Sequence, residues 1–289
     1  MLWDVSEPTG VEEIRPVKII GPPRFSPAAL VKDLSTLRKF GGLLYTLTTL
    51  RLKVRYKQSV LGWLWAVVQP LFLMLLYTFV FSRVTTVHTG TVAYPVFVLS
   101  GLLPWVFFSN SVSSATSGLV NHSYLLTRVS FPREIIPLSY VAAALVDFLI
   151  ASVILGGVML HYRVPLTSRA LLALPIVLVL TFFGIGVALV LSAFQARFRD
   201  IGVAMPLLLQ IWMFATPVVY PLDAIPGRFR FVCAANPVAG LVDSFRRVVL
   251  QGLLPDVSLF SYSAVFAAAF FAFGYMVFKL LDSNMADVI

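Results

Sequence analysis

Six stretches of this chain, roughly 63–82, 93–112, 136–160, 170–192, 203–220 and 260–281, are apolar all round. A helix needs about 20 such residues to cross a hydrocarbon core of about 30 Å. A helix without a polar face cannot rest half in water. Only 12% of the 289 residues are charged and 59% are hydrophobic, where soluble domains carry roughly 25% charged residues. The expected fold is an all-α integral membrane protein with six transmembrane helices. The second run holds Pro95, Gly101 and Pro104, so it is expected to kink and to need partners for its freed carbonyls within the bundle. The fifth is the weakest, because Pro206 and Pro217 bracket it.

Four regions make up the expected organisation. Residues 1–40 read as a cytoplasmic arm, irregular where Pro8, Pro16, Pro22, Pro23 and Pro27 punctuate it. Residues 41–62 form an amphipathic interface helix along the membrane face. Residues 63–281 are the six-span domain, and 282–289 a short cytoplasmic tail. Between spans five and six, VAGLVDSFRRVVLQG has helical spacing and Asn236-Pro237 is a helix start. This segment is apolar but too short to span. It reads either as interfacial helices on the outer surface or as short re-entrant helices shaping an exit.

Orientation follows from lysine and arginine. With the N-terminus inside, segments 1–62, 113–135, 193–202 and the end of the last helix hold 15 basic residues, against seven in the outside loops. Both termini are therefore expected in the cytoplasm. The net charge of +9 has a place at one membrane boundary, where anionic lipids attract it. No soluble nucleic-acid-binding module accompanies it, so nucleic acid is not an expected partner.

The remaining motifs exclude more than they propose. Cys233 is the single cysteine, and His88, His122 and His161 are scattered, so neither a disulfide within the chain nor a metal site is expected. Neither GxxxxGK[ST] nor HExxH occurs, and no signal peptide is expected at the N-terminus. Asp147 falls near the middle of the third run. A buried acid there is costly and reads either as bonded to a neighbouring helix or as an ion site. Gln69 and Gln210 are the other midspan polar groups, expected to bond between helices. The inner loop NHSYLLTRVSFPREIIP is too apolar for a free loop, yet charges flank it. It reads as a short helix across the membrane face that docks on a cytoplasmic partner.

RLKVRYKQSVLGWLWAVVQPL at 51–71, YLLTRVSFPREIIPLS at 124–139, LSAFQARFRDIG, ATPVVYPLDAIP and NPVAGLVDSFRRVVL occur in this order along the chain. Together they resemble the ABC-2 type permease subunits of polysaccharide and polyol-phosphate ABC exporters, the O-antigen and teichoic-acid transporters. The resemblance covers about 40–281. It implies a homodimer in the bacterial inner membrane, paired with two copies of a separate ATPase that binds ATP and Mg2+. This chain itself would bind no cofactor and catalyse no reaction. The implied cargo is an undecaprenyl-diphosphate-linked polysaccharide of O-antigen type. A teichoic acid, or more distantly a drug or small lipid, is the alternative. A proton-coupled secondary carrier would show two related repeats, and none is visible.

The resemblance also implies roles. The 123–135 helix would couple to the ATPase through Tyr124, Leu125, Leu126, Arg128, Phe131, Arg133 and Glu134. The family's channel is partly aromatic, with Tyr77, Trp105, Phe108 and Trp212 as candidates here. Arg51, Arg55 and Lys57 are candidates for the substrate entrance, drawing a lipid-linked diphosphate from the inner leaflet. The same block reads first as a topology anchor and also as an ATPase contact, and these roles can overlap. A glycan-binding domain, where one exists, is expected on the ATPase.

Overall fold

The computed structural model describes residues 38–57, 59–84, 92–128, 131–227 and 230–288. Most of the 1–40 arm lies outside these residues. Among them the α-helices are α1 (Gly41–Lys57), α2 (Trp65–Val84), α3 (Tyr94–Thr116), α4 (Gly118–Asn121), α5 (Ser123–Arg128), α6 (Ile135–His161), α7 (Ala173–Arg197), α8 (Asp200–Phe214), α9 (Arg230–Ala235), α10 (Pro237–Leu250) and α11 (Val257–Val288).

Among the described residues, five helices are long and apolar enough to span: Gly62–Phe81, Tyr94–Thr116, Ile135–His161, Ser168–Arg197 and Val257–Asp282. The expected count of six is corrected to five. The fifth apolar run forms α8, which has 15 residues and is about 22 Å long at 1.5 Å per residue. It stops at Phe214, three residues before Pro217. Of the carbonyls that follow, those of Ala215, Pro217 and Val218 accept from side chains instead of continuing a helical ladder.

The expected re-entrant helices between the last two spans are corrected as well. Residues 222–250 contain a short turn, the six-residue α9 and the 14-residue α10. α10 is buried along most of its length and packs on α3, α7 and α11. Its N-cap is Asn236, as Asn236-Pro237 predicts, with the Asn236 side chain accepting from the Val238 backbone N–H at 3.1 Å. Nothing in its packing marks a segment that enters a leaflet and turns back.

The spans form one bundle with two distinct ends. At the first end, Leu119, Ile136, Ala193, Tyr275 and Phe278 cluster. At the far end, Phe81 of α2 meets Tyr94 of α3, and Arg169 donates to the Gly252 carbonyl at 2.8 Å. α3 is the most enclosed span, with Val96, Val98, Leu102 and Phe108 all fully buried. α1 runs along α6, with Leu52 and Tyr56 buried against Ala143. Its exposed side mixes Tyr45, Leu50 and Val54 with Lys53 and Lys57.

α7 and α11 make the closest helix pair. Two glycines permit it. A Cβ on Gly186 would sit 2.9 Å from the Phe270 carbonyl oxygen and from Phe271 Cα, and a Cβ on Gly274 would meet the Gly186 backbone. Small residues at such a crossing let backbones approach where lipid supplies no hydrophobic drive. Gly274→Ala is expected to cost about 1–3 kcal/mol through overpacking. It should lower the midpoint of thermal aggregation in fluorescence-detected size-exclusion chromatography. Gly157→Ala, where a Cβ meets nothing within 4 Å, should leave that midpoint unchanged.

Candidate functional site

The polar side chains of the bundle fall into three places. The first joins α1 to the middle of α6. Arg55 pairs with Asp147 Oδ2 at 2.5 Å, and the Tyr56 hydroxyl donates to Asp147 Oδ1 at 2.7 Å. Asp147 is thus bonded to a neighbouring helix, the first of its two sequence readings. Burial and the bond to Asp147 push the Tyr56 hydroxyl up to about 12, so it remains a donor at physiological pH. Tyr56 also stacks on Trp63, with centroids 4.5 Å apart.

These residues roof a cavity of about 340 Å³ lined from α1, α2, α3 and α6. Gln69, Asn110, Trp65, Phe107 and Phe148 are among its walls. Of the expected entrance cations, Arg55 opens onto this cavity, while Lys57 is exposed. Arg51 is engaged elsewhere. Its Nε donates to Ser139 Oγ at 2.7 Å, and its guanidinium lies 3.3 Å from the Tyr140 ring centroid. Burial lowers the pKa of Arg51.

The second place is the end of the bundle where α6 begins. Glu134 is buried and accepts from Lys279 Nζ at 2.7 Å. The Tyr275 hydroxyl lies 3.4 Å from the same carboxylate oxygen. Arg133 pairs with Asp282 Oδ1 at 3.0 Å and donates to the Asp282 carbonyl. The residues after the 123–128 helix are thereby fastened to the end of α11. Tyr124 is exposed, and Leu125 and Phe131 are half-buried. The side chains of Leu126 and Arg128 lie outside the described set.

The third place is where α8 stops. Asn236 donates to the Ala215 carbonyl at 3.3 Å and to Thr216 Oγ1 at 2.9 Å. It also accepts from Trp212 Nε1 at 3.1 Å. Arg246, fully enclosed, donates to the carbonyls of Pro217 at 3.1 Å and Val218 at 2.8 Å. Its guanidinium stacks 3.8 Å from the Phe97 centroid. Gly101 leaves it room, since a Cβ there would collide with Arg246 Nη2 and the Val218 carbonyl. Sequence reasoning placed Arg246 in an outside loop. Its arginine-on-apolar-face spacing in SFRRVVL was the available signal of burial.

The aromatic candidates differ in exposure, although Trp105, Phe108 and Trp212 lie together, with Trp105 5.8 Å from Phe108. Trp105 and Phe108 are buried in the core, with Phe108 stacked on Phe183 at 5.6 Å and edge-on to Trp212 at 5.1 Å. Tyr77 and Trp212 are half-buried, and Trp212 lines an apolar cavity of about 600 Å³. Gln69 and Gln210 are both exposed, and among the described residues neither makes an interhelical hydrogen bond. Among the described residues no cluster of His, Cys, Asp and Glu is suited to a metal ion.

With Arg246 removed, two buried carbonyls lose their donors, each at about 1–3 kcal/mol. Arg246→Met is therefore expected to destabilise by about 2–5 kcal/mol, read as a lower thermal midpoint and reduced monodisperse yield. Arg246→Lys, with a cation but no planar fork, should recover only part. A variant as stable as the parent would show that the 215–218 segment needs no clamp.

Residues 42–250 match the ABC-2 type transporter family. The chain is 32% identical over 229 residues to an "O-antigen export system permease protein RfbA" of Myxococcus xanthus, covering 78% of this chain and 87% of that one. It is 28% identical over 248 residues to a protein of the same description from Klebsiella pneumoniae, covering 86% and 95%.

Proposed function

Because the chain belongs to the ABC-2 type transporter family, we propose that it is the membrane subunit of an ATP-driven exporter of O-antigen-type polysaccharide. The observation that carries this reading is the likeness to O-antigen export permeases over most of both chains. The chain is a multi-pass membrane permease, not an enzyme, and works with a nucleotide-binding subunit. Two copies of each subunit, and a cargo of undecaprenyl-diphosphate-linked glycan crossing the bacterial inner membrane, are the finer reading.

The end of the bundle carrying Arg51, Arg133, Arg197 and Lys279 faces the cytoplasm, by the bias of basic residues toward that side. The C-terminal end of α11 lies there too. The 123–135 segment receives the push of the ATPase. Its attachment to α11 through Arg133–Asp282 and Glu134–Lys279 supports this, because a force on the segment is then borne by two spans, α6 and α11, together. Lys57 and the exposed side of Arg55 form the rim that meets the lipid-linked diphosphate. Arg51 instead holds α1 to α6. A path past Tyr77 and Trp212 suits sugar rings, since aromatic faces stack without demanding one sugar.

In a bacterium carrying this system, deletion of the gene should abolish surface polysaccharide and leave the lipid-linked polymer inside. The parent chain should restore it. Arg133→Ala and Glu134→Gln together should lower surface polymer several-fold at unchanged membrane level, measured by immunoblot of surface glycan against the tagged protein. Surface polymer undiminished by the deletion would refute the assignment.

A further inference from the structure

The cavity under Arg55 has a chemistry that the charge of its rim does not reveal. Arg55 and Asp147 neutralise each other across 2.5 Å, and they are the only ionisable groups besides Tyr56 among its lining residues. The cavity therefore carries no net charge at neutral pH. A phosphate dianion seated there would have to take Arg55 from Asp147 and then lie beside that carboxylate, a like-charge contact.

What the cavity offers instead is hydrogen-bonding capacity. Gln69 on α2 and Asn110 on α3 both line it, and among the described residues neither carboxamide has a hydrogen-bond partner within the chain. Each supplies two N–H donors and a carbonyl with two lone pairs. Arg55, 42% exposed at its side chain, keeps further N–H donors beyond the one it gives to Asp147. Gln69 is exposed and Asn110 half-buried, so both amides can be reached from the cavity and their hydrogen-bonding capacity is open to a partner of another kind. Beside them lie the flat apolar faces of Trp65, Phe107 and Phe148. The volume of about 340 Å³ is at the small end of the roughly 300–1,000 Å³ of ligand sites, which suits one ring-sized group and not an oligomer.

We propose that this cavity binds a neutral polyhydroxylated ring, a single sugar unit, with Gln69, Asn110 and Arg55 reading its hydroxyls and Trp65 covering an apolar face. The inference rests on the export reading for its place in transport: it puts a sugar subsite behind a phosphate-attracting rim. Binding itself is independent of export.

The full-length chain, with Cys233→Ser and Ala66→Cys, is reconstituted in lipid nanodiscs. Ala66 lines the cavity, so its labelling rate with a small methanethiosulfonate reports occupancy. Methyl β-D-glucoside should slow labelling several-fold, and methyl phosphate at the same concentration should not. Adding Asn110→Ala or Gln69→Ala should abolish the protection. The labelling rate without probe tests whether each variant keeps the cavity, and Asn110→Ser is a milder second variant. No slowing by the glucoside, or slowing that survives loss of both amides, overturns the proposal. Stronger protection by methyl phosphate replaces it with an anion site. If the glucoside protects while the deletion strain still displays its polymer, the export reading fails and the sugar site stands.

Discussion

The fold depends on how three carbonyls, those of Ala215, Pro217 and Val218, are treated where α8 ends. At membrane depth non-helical backbone survives only where it is buried among protein donors or lines a water-filled cavity. Asn236 and Arg246 supply them, one from the start of α10 and one from its third turn. Both lie on the same buried helix, so α10 holds the segment at two points. Gly101 on α3 gives way to the guanidinium, and Phe97 covers it. Three distant parts of the chain are thereby fixed to one another.

This arrangement also accounts for the helix count. After α7 the chain must return from the first end of the bundle to the far end before α11 begins. It does so by the short α8 and the clamped irregular segment, without a sixth spanning helix. Pro206 and Pro217 marked that run as weak, and the weakness was legible. What was not legible was the compensation, because the donors stand about 20–30 residues away and meet their acceptors only through packing.

The charged residues show the same division. Composition placed a basic block at one membrane boundary, and four of its members occupy one helix, α1. The sequence could not say which were free. Arg51 lies on Tyr140 and Ser139, Arg55 is neutralised by Asp147, and Lys53 and Lys57 remain exposed. Asp147 was recognisable as an unusual acid, but its partners are 91 and 92 residues distant. Similarly, Arg133 and Glu134 flank an apolar loop in sequence, and only the fold brings Asp282 and Lys279 to them.

The sequence by itself determined the class of solvent, the positions of the long helices, the basic boundary and the family. Each of these rests on local composition or on an ordered string of residues, and neither requires knowing what touches what. Tertiary structure decided the rest: that one apolar run is a short helix and not a span, that α10 is buried, and which cations are spent. It also decided which side chains share a cavity. In a membrane nearly every side chain that is not polar looks alike to its neighbours in sequence. The few polar ones acquire a role only from the group they are brought to face.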